Sequence, residues 1–230
     1  MQIEGSVVLV TGAGGGLGRE FVRQFLERGA TTVYAAARRE LDWPDDRVRP
    51  LRLDVTDPGS ISAAAEAAPD VSVLVNNAGV VGPRSLVTSP IEEIRNTFET
   101  NVFGPLQMSR AFAPALAAAG GGAIVDVHSV LSWLATPGAY SPSKAALWGL
   151  TNTLRLELAD QCTQVLGAHL GYTDTPMTAG LDVPKSDPVV IVTRILDALA
   201  AGSDEALADE LTQQVRSNLS ALTTGAIRAD

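Results

Sequence analysis

Lysine is nearly missing from this chain: among 230 residues only Lys144 and Lys185 are lysines, and arginine carries the remaining positive charge. Basic residues number 17 against 26 acidic ones, a net charge of −9. That balance argues against nucleic acid or an anionic membrane surface as the main partner, and an anionic ligand would need a locally basic pocket. Cysteine occurs once, at Cys162, so no internal disulfide can form and a cytoplasmic location is favoured. Cys162 itself reads as a small helix residue without chemistry. The two histidines, His128 and His169, have no metal-ligand companions in the sequence, so both read as structural and no metal is expected. Long hydrophobic runs are also lacking. The most apolar stretch, "AFAPALAAAGGGAIVDV", is broken by Pro114 and three glycines, which excludes a membrane span. A strand pattern begins within a few residues of Met1, so no signal peptide is expected.

What is present is an apolar fraction of 46%, enough for a sizeable core. Short β-branched runs alternate with amphipathic stretches. Strands are expected at 6–10, 31–37, 48–55, 71–79, 121–129 and 163–171. Helices are expected at about 17–28, 90–101, 104–118, 140–160 and 188–202. "EALAD" (205–209) fits a last short strand or the start of the final helix, and the strand is preferred. Alternating apolar strands and helices predict a single-domain, Rossmann-like, doubly wound α/β sheet over 1–230, mostly or wholly parallel, with helices on both faces. In such sheets ligands bind at the carboxyl ends of the strands, and each chemically suggestive motif falls at such an end.

The first motif is "TGAGGGLG", between the first strand and the first helix. Glycines suit a tight turn where a pyrophosphate must approach bare backbone, and the helix N-terminus adds free N–H groups and a favourable dipole. The second is "YSPSK" at the start of a helix. Residues i and i+4 share a helix face, so Tyr140 and Lys144 can enter one cleft. An ammonium stabilises a phenolate whose ordinary pKa, about 10, is too high to cycle near neutrality. With two lysines and three tyrosines, a chance Tyr-x-x-x-Lys arises only about 3% of the time, so the pairing carries weight.

The spacing Thr11-Gly12-x-x-x-Gly16-x-Gly18 differs from the common G-x-G-x-x-G and resembles the short-chain dehydrogenase/reductase family, in its compact single-domain branch. The resemblance runs from residue 6 to about 200 over five motifs. It implies that Thr11, Gly12, Gly16, Leu17 and Gly18 hold a dinucleotide. "LDVTD" is similar to the family's adenine segment, which implies contacts from Asp54 and Val55. "NNAG" matches the segment after the fourth strand. Asn77, Ala78 and Gly79 would line the groove, while Asn76 either supports the sheet or satisfies buried backbone. Ala37 stands where NAD-preferring members carry an acid, and Arg38 follows, with Arg39 next to it. A guanidinium pairs with a 2′-phosphate where a carboxylate would repel it, so NADP(H) is favoured and NAD(H) is the alternative. Many NADP members also carry a basic residue at the position of Gly15.

The resemblance further implies a catalytic set of Asn101, Ser129, Tyr140 and Lys144. Tyr140 would be the general acid/base, and Lys144 would hold the nicotinamide ribose. Asn101 would anchor a water-linked proton relay, or else serve as a helix-kink residue. Ser129 would orient the carbonyl, though it lies about two residues nearer the tyrosine than is usual. Ser132 is the alternative. "LGYTDTPM" is similar to the family's nicotinamide segment, with Gly171, Thr173 and Thr175 as contacts and Leu170 in place of the usual proline. Leu131, Trp133, Tyr172 and Met177 are candidates for an apolar substrate pocket beneath a short lid. The expected partner is a small carbonyl or alcohol, handled by a homodimer or homotetramer formed through the long helices. The tail "TTGAIRAD" lacks the family's frequent closing strand. The rival functions are a non-catalytic NADP-binding sensor or scaffold, and epimerisation or dehydration, which glycine spacing and length disfavour.

Overall fold

The structure, a computed structural model, describes residues 1–39 and 41–219, so the tail reading lies outside the described residues. Seven strands form one sheet: β1 (Val7–Thr11), β2 (Thr32–Ala37), β3 (Val48–Arg52), β4 (Val73–Asn76), β5 (Ala123–Val127), β6 (Gln164–His169) and β7 (Glu205–Leu207). Their order is β3-β2-β1-β4-β5-β6-β7 and every pairing is parallel. The expected doubly wound sheet is therefore present, and its last strand is a strand.

Among the described residues there are seven α-helices, six between strands and one after the last: α1 (Gly16–Glu27), α2 (Pro58–Ala67), α3 (Ile91–Phe98), α4 (Gly104–Ala118), α5 (Tyr140–Glu157), α6 (Pro188–Ala200) and α7 (Glu210–Asn218). Strand side chains alternate between faces, so β1 sends Val8 and Val10 to one core and Leu9 to the other. On the first face Phe21, Phe25, Ile191 and Ile195 of α1 and α6 cover the sheet. On the second, Ile61, Met108, Phe112, Leu116 and Leu154 of α2, α4 and α5 do so. Among the described residues no helix is long and apolar enough to cross a membrane.

Three local features differ from expectation. α2 was not anticipated; its legible signal is Asp57, whose carboxylate accepts from the Gly59 N–H, followed by Pro58 at the first helical position. Cys162 is not in a helix but in an exposed turn before β6, with φ of 59°. The segment expected as two separate helices is one continuous rod, α3 joined to α4 by a π-turn, Glu99–Phe103, in which Gly104 N–H donates to Glu99 C=O. Pro105 explains the π-turn: it has no N–H to offer the Asn101 carbonyl, so the helical ladder slips by one residue there.

The sheet order reverses direction between β1 and β4, which are direct neighbours. A chain leaving β1 winds outward to β2 and β3, whereas one leaving β4 winds the other way. A crevice opens between the two sets of connections at the carboxyl ends of these strands.

Candidate active site

The glycine loop lies in that crevice. Gly12 and Gly16 adopt left-handed φ values of 68° and 49°, which favour glycine. Gly18 is constrained by space instead, because a Cβ there would stand 2.2 Å from the Gly12 carbonyl oxygen. Nothing lies within 4 Å of a Cβ built on Gly15, the N-cap of α1, and no side chain caps that helix. A bare helix N-terminus beside open space fits a pyrophosphate and leaves its donors for one. Thr175 lies close to Gly16, so the 171–178 segment faces the loop from the other side.

Thr11 acts differently from a direct ligand: its hydroxyl donates to Val75 C=O and accepts from the N–H groups of Asn77 and Ala78. Asn77 Nδ2 returns a bond to Thr11 C=O at 2.8 Å. These bonds clamp the ends of β1 and β4 and so set the width of the crevice. Gly18→Ala tests this fit. About 1–3 kcal/mol of overpacking strain must displace the Gly12 carbonyl, so dinucleotide affinity by calorimetry is expected to fall roughly 10- to 100-fold.

At the end of β2, Arg38 and Arg39 are exposed. Asp54 accepts from Thr56 N–H and hydroxyl at 2.9 and 2.7 Å. Those bonds, resisted by partial burial and aided by the Arg38 charge, hold its carboxyl below the ordinary range. Val55 packs closely against Gly104, where an added Cβ would stand 3.1 Å from the valine side chain.

Tyr140 and Lys144 occupy the first two turns of α5. Burial pushes the Tyr140 phenol up to about 12, against a hydrogen bond with the Ser129 side chain that pulls it down. Burial likewise pushes the Lys144 ammonium down to about 8, while the Asp126 charge resists. Lys144 Nζ donates to Val127 C=O at 2.7 Å and lies 5.7 Å from the Tyr140 ring centre. Asn101, in the π-turn, has every polar atom of its amide engaged: Oδ1 accepts from Val80 N–H, and Nδ2 donates to Val80 C=O and Ser143 Oγ. The side chain pins the π-turn to the 79–81 loop, and Pro105 leaves the Asn101 carbonyl without its helical donor. The side chain therefore bonds the backbone at the kink, as a helix-kink residue would.

Of the two candidate serines, Ser129 is the one whose side chain acts on the Tyr140 phenol. Ser129 caps the short 3-10 turn Val130–Ser132 by accepting from Leu131 N–H, whereas Ser132 is buried with an unpartnered hydroxyl. Of the candidate pocket residues, Tyr172 and Met177 are exposed and Leu131 is half-buried. Trp133 is taken up elsewhere: it stacks on His169 at 3.9 Å, meets Trp148 edge-on and carries Arg216 on its ring. Thr173 is buried, and Gly171 N–H donates to Asp209, which ties the segment to α7. Leu170 is buried in the first core. Among the described residues no cluster has the makings of a metal site.

A doubly wound sheet with a glycine loop at its switch point and a Tyr–Lys pair across the crevice defines a dinucleotide-dependent oxidoreductase. A model of the family described as short chain dehydrogenase matches residues 6–185, and the chain belongs to that family. It is 32% identical over 193 residues to a 3-oxoacyl-[acyl-carrier-protein] reductase of Vibrio cholerae, covering 79% of each chain. It is 37% identical over 224 residues to a short-chain dehydrogenase of Penicillium ochrochloron, covering 89% of this chain and 79% of that one. Among solved structures, a short chain dehydrogenase of Burkholderia cenocepacia in complex with NADP superposes with a TM-score of 0.89 at 38% identity, covering 96% and 95% of the two chains.

Proposed function

We propose that the protein is an NADP(H)-dependent carbonyl reductase or alcohol dehydrogenase, a single domain in which Tyr140 is the general acid/base. The observation that carries this reading is the convergence of Ser129, Tyr140, Lys144 and Asn101 on one side of the glycine crevice. When bound, the nicotinamide supplies the hydride to a carbonyl carbon or takes it from an alcohol. The chain's own groups manage the oxygen. Ser129 Oγ orients the carbonyl, and the Tyr140 hydroxyl protonates the developing alkoxide. A phenol pushed up to about 12 keeps its proton throughout the neutral range, which is the state reduction needs. Lys144 supplies positive charge that favours the phenolate left behind and holds the ribose hydroxyls. A proton returns through Lys144 and water held by the freed Asn101 carbonyl.

Arg38 pairs with the 2′-phosphate, with Arg39 as helper, and the B. cenocepacia relative's NADP complex supports that choice. Gly12, Gly16, Leu17 and Gly18 take the pyrophosphate, while Asp54, Val55, Ala78 and Gly79 line the adenosine and ribose path. Gly171, Thr173 and Thr175 take the carboxamide. Exposed Tyr172 and Met177 on one rim, with Val80 and Val81 on the other, suit an apolar or aromatic carbonyl substrate. Exposed Phe103 and Leu156 near and along the long helices support a homodimer or homotetramer. A single cysteine favours the cytoplasm.

The test is NADPH and NADH oxidation against a panel of ketones, aldehydes and quinones. Turnover with NADPH on apolar carbonyls is expected. Tight NADPH binding without turnover on any member would establish a binder instead.

A further inference from the structure

Beneath the cleft lies a row of buried polar groups that the hydride chemistry leaves unused. Asp126 on β5 is wholly buried, its Oδ1 accepting from Asn76 Nδ2 at 2.8 Å and its Oδ2 from Thr151 Oγ1 at 2.7 Å. Thr151 Oγ1 lies 2.8 Å from His128 Nε2, and His128 Nδ1 lies 3.2 Å from His169 Nε2. His169 Nε2 is also 3.7 Å from the carboxylate of Glu205, which accepts from Trp148 and Arg216 nearer the surface. Four side chains, His169, His128, Thr151 and Asp126, thus form one continuous row in the interior.

The sheet register builds this row. Val127 pairs with Ala168, so His128 and His169 follow side by side at the strand ends. Gly167 makes room for them, since a Cβ there would stand 2.7 Å from the His128 ring.

The row has a direction. Burial first, then the charges of His169, Lys144 and Arg155, hold His128 well below its ordinary value, so it is neutral and carries one N–H. If Nε2–H donates to Thr151, then Nδ1 accepts from His169 Nε2–H, and the Thr151 proton can go to Asp126. Each donor then points toward Asp126. An anion stripped of water needs such donors and a nearby opposite charge to persist. Lys144 is that charge. It stands two turns before Thr151 on the buried face of α5 and bonds the carbonyl of Val127, the residue after Asp126. The groups facing Lys144 are Tyr140 on its own helix, Asn101 across Gly79, Asp126 on β5 and His128 just beyond that strand. Burial pushes the Asp126 carboxyl above its ordinary range, and the Thr151 and Asn76 hydrogen bonds, then the Lys144 and Arg155 charges, pull it back toward the anion.

We propose that Asp126 is a positioning residue for the Tyr140–Lys144 pair: an anion held by Asn76 and by the His169–His128–Thr151 row, it keeps the Lys144 ammonium charged and seated at the cleft. Its kinetic consequence rests on the oxidoreductase function proposed above; its effect on Lys144 does not.

The scarcity of lysine makes the direct measurement simple. Full-length protein carrying isotopically labelled lysine gives two side-chain NMR signals, and Lys185 serves as internal reference. Lys144 is expected to titrate near about 8 in the unaltered protein. Asp126→Asn should lower that midpoint by roughly one unit or more and leave Lys185 in place. Thr151→Val should move it in the same direction, and Thr151→Ser should restore it. In NADPH-dependent reduction, the alkaline limb of kcat/KM should shift by the same interval. An unchanged Lys144 midpoint in either Asp126→Asn or Thr151→Val overturns the proposal. If Asp126→Asn does not fold, the two Thr151 variants decide by the same criterion. Absence of carbonyl reduction by the unaltered protein would overturn the functional proposal while leaving the lysine titration to stand on its own.

Discussion

Tyr140→Phe is expected to lower carbonyl reduction by about a hundred- to ten-thousandfold while leaving NADPH affinity largely unchanged. The substitution removes one oxygen and keeps the ring, so the packing of α5 against Ser129 and Lys144 is preserved. What it deletes is the phenol O–H on which the Ser129 side chain acts. Without it the developing alkoxide must take its proton from water. Steady-state rates on the best carbonyl substrate, paired with NADPH titration by fluorescence, separate the two effects. A variant that kept full activity on a true substrate would show that Tyr140 is not the acid. A variant that lost NADPH binding as well would place the residue in cofactor binding rather than in proton transfer.

Arg38→Ala should reduce NADPH affinity roughly 10- to 100-fold, the equivalent of one charge-assisted contact of about 1.5–3 kcal/mol. NADH affinity should stay as it was. Arg38 stands exposed at the end of β2, where the preceding residue is Ala37 rather than an acid. Its positive charge helps to hold the Asp54 carboxyl below the ordinary range. Adding Ala37→Asp to the same chain should carry the preference over to NADH, because the new carboxylate accepts from a 2′-hydroxyl and repels a phosphate. Calorimetry with both nucleotides checks the pair. Equal losses for NADPH and NADH would mean that Arg38 supports the loop and does not read the phosphate.

Some of the site is legible in the chain because its geometry is local. The glycine loop is a tight turn whose conformation depends on a few adjacent residues. Tyr140 and Lys144 share a face because any α-helix puts i and i+4 together. Arg38 is readable because it directly follows a strand. Other features depend on partners far along the chain. The π-turn at Asn101 had one local cue, Pro105, but the amide's bonds to Val80 and Ser143 span 21 and 42 residues. Where the shortened loop closes around Ser129 and Ser132 is something that interval alone does not reveal. Trp133 looked like pocket lining from its neighbours and proved to be packing for His169.

By itself, then, the order of residues determined the strand–helix alternation, the parallel sheet, the glycine turn and the Tyr–Lys pair, since each follows from hydrophobic period or backbone geometry over a few residues. Only the tertiary structure decided how Asp126, Thr151, His128 and His169 meet. That row comes from β5 and β6 in register and α5 packed over them, and side chains 23 to 41 residues apart become hydrogen-bonded only after the sheet has formed. Both histidines read singly as structural; that they adjoin each other and reach Thr151 is seen only in the fold.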